Sequence, residues 1–94
     1  MLSKINMDDL ISYVIRGSLR KKVFTNLVVP NTPTNLSKKT NIERASVSRA
    51  LINLSKKGLV VCVNPSEKTG RLYKLTDKGK KVYDIMKKMW IFFK

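Results

Sequence analysis

Residues 41–60 read NIERASVSRALINLSKKGLV, and the placing of apolar against charged residues in this stretch decides the fold. Val47, Leu51, Leu54 and the nearby Leu59 fall on one stripe at helical spacing, which predicts a helix from about Arg44 to Lys57 with that stripe buried. Gly58 stands where a left-handed cap ends a helix. Arg44, Ser46, Ser48, Arg49 and Asn53 are left facing outward. Arginines and small hydroxyls near a helix N-terminus form either a solvated surface or a face built to enter a nucleic-acid groove. The rest of the chain has to choose between them.

Upstream, PNTPTN at residues 30–35 holds two prolines and several cap-forming side chains, so the chain turns there. Thr32 followed by Pro33 reads as an N-cap and a first helical position. The short helix they open carries Leu36 inward and ends near Asn41, a residue that tolerates the left-handed conformation of a tight turn, with Ile42 returning to the core. Earlier still, Asn6 caps a helix whose first turn holds Asp8 and Asp9 and whose apolar positions are Leu10, Ile11, Val14 and Ile15. Gly17 interrupts that run. Ser18 is expected to cap a second helix with Leu19, Val23, Phe24, Leu27 and Val28 as its buried stripe and Arg20, Lys21 and Lys22 facing out.

Downstream, LVVCVN (59–64) is rich in β-branched residues and LYKLT (72–76) alternates, with NPSEKTGR (64–71) between them. The expectation is a hairpin over 59–76 with a long, basic tip. Thr76 and Asp77 then open a last helix over 77–94, where Val82, Ile85, Met86, Met89 and Phe93 form an apolar stripe and Lys80, Lys81, Lys87 and Lys88 cover other faces.

Composition narrows what such a chain can do. Ninety-four residues, 43% of them hydrophobic, suffice for one ordered domain over 1–94 with a modest core, and leave no room for a second, catalytic one. Twenty Lys and Arg against six Asp and Glu give a formal net charge of +14, which points to a polyanionic partner. With no histidine and Cys62 as the one cysteine, an intramolecular disulfide, a transition-metal site built from several Cys and His ligands, and catalysis through a histidine base are all excluded within one chain. No Gly-rich phosphate loop or suitably placed pair of acids suggests an enzyme, and no cofactor is implied. Cys62, among valines, reads as a small buried hydrophobe, and Tyr13, Tyr73 and Tyr83 as amphipathic core residues. Residues 1–30 lack the apolar stretch of a signal peptide, and no segment is long enough to span a bilayer, so a cytoplasmic location is expected.

The order of four helices, a strand, a wing, a strand and a helix resembles a winged helix-turn-helix: mainly α with a small β-hairpin and extra terminal helices. Residues 34–76 are similar to the DNA-binding core of the MarR-like and ArsR-like prokaryotic regulators, and the likeness extends over about 18–81. Its most specific parts are NLSKKTNIERASVSRALINLSKKGLV and GRLYKLTDKGKKV. The resemblance implies a helix-turn-helix over 33–57, a recognition helix at 44–57 that enters the major groove of double-stranded DNA, and a basic wing at 64–71 that reaches the adjacent minor groove. Leu36, Ile42, Val47, Leu51 and Leu54 would lock the two helices across their turn. Arg49 can fork onto guanine or clamp a phosphate, Ser46 and Ser48 permit close approach, and Arg44 and Asn53 flank them. On the wing, Lys68, Thr69, Arg71 and Lys74 are the expected contacts, with Lys38 and Lys39 holding backbone from the short helix. The family pattern has glycine where Asn41 sits and a small capping residue where Glu43 sits. The paired cysteines or clustered histidines of metal-sensing ArsR-like proteins are missing here.

The segment MKKMWIFFK carries more apolar surface than one stripe can bury. It is expected to pair with residues 7–16 of a second copy in a two-fold homodimer through Leu10, Val14, Met86, Met89, Trp90 and Phe93, matching a palindromic site. This reading is favoured over the competing one of an interfacial membrane anchor, which the lysines flanking the aromatics suggest. Three readings follow: a sequence-specific regulator, a non-specific architectural coat on DNA, and a protein-interaction module docked through the aromatic C-terminus.

Overall fold

The computed structural model of the chain describes residues 6–93, with side chains as far as Met89. Helix α1 (Met7–Arg16) opens on Asn6, whose side-chain oxygen accepts the Asp9 amide at 2.9 Å, and its first-turn acids Asp8 and Asp9 suit the positive end of the helix dipole. Leu10, Ile11 and Val14 are buried, whereas Ile15 is 40% exposed, one residue past the stripe.

Helix α2 (Ser18–Thr25) starts on Gly17, with no side-chain cap; Ser18 is its first residue and not the expected cap. Arg20, expected to face out, folds back instead: Nε and Nη2 both donate to the carbonyl of Tyr13, and its guanidinium occupies the space a side chain at Gly17 would need. This clamp ties the end of α1 to the start of α2. The expected stripe of α2 is too long at both ends, since Leu19 is 45% and Val28 52% exposed. The hydroxyl of Thr25 bonds back to the Lys21 carbonyl and the amide of Asn26 bonds to the Val23 carbonyl, which ends the helix before Val28 can share its phase. Val23, Phe24 and the following Leu27 are fully buried.

Helix α3 (Pro33–Thr40) is capped by Thr32, whose hydroxyl accepts the Asn35 amide at 3.2 Å, with Pro33 at its first position. Asn41 takes the left-handed conformation (φ 59°, ψ 32°) that returns Ile42 to the core. Ser37 donates to the Ile42 carbonyl and Thr40 to the Leu36 carbonyl, so the turn is tied from both sides.

Helix α4 (Arg44–Lys56) buries Val47, Ala50, Leu51 and Leu54 against α2 and α3. It ends one residue short of Lys57. The Gly58 amide bonds to the Ser55 carbonyl at 2.9 Å and the Leu59 amide to the Leu54 carbonyl at 3.0 Å, a Schellman ending with Gly58 at φ 76° and Leu59 buried behind it.

Strands β1 (Val60–Cys62) and β2 (Tyr73–Leu75) are antiparallel, pairing Val60 with Leu75, Val61 with Lys74 and Cys62 with Tyr73. Both are shorter than LVVCVN and LYKLT imply. The sheet gains a third element that periodicity does not announce: Asn31 exchanges both backbone hydrogen bonds with Tyr73, at 2.9 and 2.8 Å, and so fastens the α2–α3 connection to the wing. Cys62 is half-buried, with its thiol 3.6 Å from Asn64 Oδ1.

Helix α5 (Asp77–Phe93) is capped by the hydroxyl of Thr76, which accepts the Gly79 amide at 3.0 Å and donates to the Gly58 carbonyl at 2.6 Å. One side chain thus joins the last helix to the end of α4. Val82 and Met86 are buried, and Ile85 and Met89 pack at the margin of the core. Because α1 meets α5 within the chain, Leu10, Val14 and Met86 are consumed by the chain's own core, a correction to their expected place on a dimer surface. The side chains of Trp90 and Phe93 lie outside the described residues. No buried side-chain nitrogen or oxygen among the described residues lacks a partner, and none of their helices is long and apolar enough to cross a membrane.

Candidate nucleic-acid interface

With Val47, Ala50, Leu51 and Leu54 inward, the opposite side of α4 presents Ala45, Arg49, Ile52 and Lys56, with Arg44 and Ser48 on one flank and Ser46 and Asn53 on the other. Each flank forms a cleft with a different part of the molecule.

On the first flank, Arg44, Ser48 and Ile52 recur every four residues and face the wing. Together with Thr32 and Thr34 at the start of α3, and Lys68, Thr69, Arg71 and Tyr73 of the wing, they line a cleft of about 390 Å³. The wing is organised by a residue the sequence reading passed over. Asn64 Oδ1 accepts the Leu72 amide at 2.7 Å and its Nδ2 donates to the Gly70 carbonyl at 3.3 Å, pinning both sides of the loop, while Gly70 turns it at φ 66°. Arg71 Nε donates to the Glu67 carbonyl at 2.7 Å, which aims the guanidinium and leaves its terminal nitrogens without a partner among the described residues.

On the second flank, Ser46, Arg49 and Asn53 line a cleft of about 450 Å³ with Ser18, Leu19 and Arg20 of α2. This explains the exposure of Leu19, which forms part of a cleft wall. Arg44, Arg49, Lys68 and Lys56 are exposed and make no ion pair among the described residues, so their charges stay available to an anion.

The expected contacts therefore divide. Arg44, Ser48, Lys68, Thr69 and Arg71 meet in one cleft; Ser46, Arg49 and Asn53 meet in the other. Lys38 is exposed on α3 but lines neither cleft. Lys74 alternates with Tyr73 along β2, and since Tyr73 lines the wing cleft, Lys74 points to the opposite face of the hairpin. Glu43 stands at the N-cap of α4 with no side-chain capping bond. Ile52, 51% exposed, is absent from the expected set although its spacing of four from Ser48 places it on the same face.

The fold and this face define a winged helix-turn-helix. A family model described by that name matches residues 25–91, and the chain belongs to this family. Among solved structures, TubR bound to 24 bp of tubC, from Bacillus thuringiensis serovar israelensis pBtoxis, superposes with a TM-score of 0.80 at 11% identity, over 94% of this chain and 99% of TubR. NMB1585, a MarR family regulator from Neisseria meningitidis, superposes at 0.73 with 17% identity, over 92% and 65% of the respective chains. The multiple antibiotic resistance repressor MarR does so at 0.68 with 27% identity, over 88% and 65%. The chain spans about two-thirds of the length of those two regulators, and the MarR-like resemblance read from the sequence is borne out at the level of fold. No curated protein matches the sequence.

Proposed function

We propose that this protein is a DNA-binding transcription regulator and not an enzyme, acting in the cytoplasm as a homodimer on double-stranded DNA, with α4 in the major groove and the wing in the adjacent minor groove. The observation that carries this reading is the shared face of α4 and the wing: Arg44 and Ser48 on the helix and Lys68 and Arg71 on the hairpin border one cleft, with no carboxylate among its lining residues. Cations held without counterions on one side of a +14 chain repel one another unless a polyanion lies across them. The solved TubR complex, which carries DNA, and the MarR-family neighbours support the same reading. For the dimer, Met89 with Trp90 and Phe93 remain the candidates, Leu10, Val14 and Met86 having been taken by the core.

The test is a titration of random and selected duplexes with recorded stoichiometry. A selected palindrome bound on the order of a thousandfold more tightly than random DNA, with two chains per site, is the expected result. Arg49→Ala should cost about 1–3 kcal/mol on the selected site and relax preference at one position, whereas Lys68→Ala should weaken all sequences alike. Equal binding to every duplex would instead favour the architectural reading, for which the net charge is the motive. A stable protein partner without DNA affinity would favour the interaction module.

A further inference from the structure

On the side of α4 away from the wing, the end of α1, the start of α2 and Lys57 meet at a third cleft of about 420 Å³. Its floor is Tyr13. The guanidinium carbon of Arg20 lies 3.9 Å from the centroid of that ring and Lys57 Nζ lies 5.0 Å from it, while Arg16 lines the same cleft three residues along α1. Asp9, in the first turn of α1, is the one carboxylate among the lining residues. None of Arg16, Arg20 and Lys57 forms an ion pair among the described residues. A ring face attracts a cation without neutralising it, so Arg20 and Lys57 share one aromatic floor with Arg16 beside them, three cations against the single carboxylate of Asp9.

Two further observations say what completes the site. Arg20 is held rather than free, because two of its nitrogens are bonded to the Tyr13 carbonyl, and a fixed donor loses little freedom when it meets an anion. The corner is also continuous with the recognition face: Arg20 lines the neighbouring cleft with Ser46, Arg49 and Asn53, and Lys57 follows Asn53 by one helical turn on the same flank. A helix of 13 residues is about 20 Å long, against a major groove about 12 Å wide. Where α4 crosses the groove at an angle, one of its ends reaches the wall, and the phosphate ridge there meets whatever flanks that end.

We propose that the corner formed by Arg16, Arg20 and Lys57 is a second phosphodiester-binding site, gripping the DNA backbone on the side of α4 opposite the wing. The proposal rests on the DNA-binding reading and deepens it: α4 is clamped from both flanks, and the footprint extends beyond the bases that Arg49 reaches.

The experiment compares Arg16→Gln/Lys57→Gln with the wild type on selected and random duplexes between about 50 and 200 mM salt. This variant leaves Arg20 and its bonds in place, and thermal unfolding verifies its fold. The slope of log K against log salt should become shallower by about 1.8, since each phosphate contact contributes about 0.9, with the same fold-loss on both duplexes. A control, Lys80→Gln/Lys81→Gln on α5, removes the same charge away from the corner and should leave the slope near wild type. An unchanged slope in the corner variant, or an equal change in the control, overturns the proposal while the wild type still binds. A wild type that binds no duplex overturns the DNA reading itself, and this proposal with it. If inorganic phosphate stabilises the wild type but not the corner variant while the DNA slope stays unchanged, the corner is a small-anion site and the proposal falls.

Discussion

Gly79→Ala offers a sharp test of how the wing is fixed to the rest of the molecule. A Cβ built at Gly79 would lie 2.1 Å from the Leu59 carbonyl oxygen, 3.1 Å from its carbon and 3.4 Å from Leu75 Cβ. Ordinary carbon–oxygen contacts begin at about 3.3 Å, so α5 and the base of β1 must separate by about 1.2 Å, and the obstacle is backbone that cannot swing aside. The same Leu59 oxygen accepts the Thr76 amide at 3.0 Å, and the Gly79 amide donates to the capping hydroxyl of Thr76, so the displacement strains both bonds. Overpacking of this kind costs about 1–3 kcal/mol and a weakened backbone hydrogen bond about 1 kcal/mol, against a helix-propensity gain for alanine of at most about 1 kcal/mol. The net is a destabilisation of about 2 kcal/mol, which for a domain of this size lowers Tm by roughly 8–16 °C. Thermal unfolding followed by far-ultraviolet circular dichroism reads it directly. A variant as stable as the wild type, or more so, would refute the close approach of α5 to Leu59.

Three smaller perturbations probe other joints. Thr32→Ala removes the cap of α3 and should cost about 1 kcal/mol in urea unfolding; no loss would mean that the hydroxyl does not hold the Asn35 amide. Asn41→Gly should be neutral or slightly stabilising, because the left-handed backbone there suits glycine, whereas Asn41→Val should cost about 1–2 kcal/mol; the reverse order would rule out that conformation. Asn64→Ala deprives the Leu72 amide of its acceptor, so hydrogen exchange at Leu72 should quicken and DNA affinity fall while α4 amides keep wild-type protection. Unchanged exchange at Leu72 would show that Asn64 is not what orders the wing.

The features legible in the sequence were those set by local rules. Asn6, Thr32 and Pro33 open helices through short-range hydrogen bonds and fixed dihedrals, Asn41 and Gly58 end them through the left-handed conformation, and Val47, Leu51 and Leu54 share a face through helical periodicity. Each depends on neighbours within about one turn, so the sequence holds all the information required. The outward set of α4 followed for the same reason: once the buried stripe is known, Arg44, Ser48, Arg49 and Asn53 have nowhere else to point.

Tertiary structure decided how those outward residues are shared and which apolar residues are core. Helical phase alone cannot say that Ser46 and Arg49 face α2 while Arg44 and Ser48 face the wing, because that depends on where two other elements lie beside α4. Arg20 reads as a surface cation until the bend at Gly17 brings the Tyr13 carbonyl within its reach, and Asn31 reads as loop until Tyr73 arrives from more than forty residues away. The surplus of apolar residues at the two ends of the chain suggested a partner, yet much of it is answered within one chain by α1 meeting α5. Periodicity tells which side of a helix avoids water; only the packing of distant elements tells what covers it.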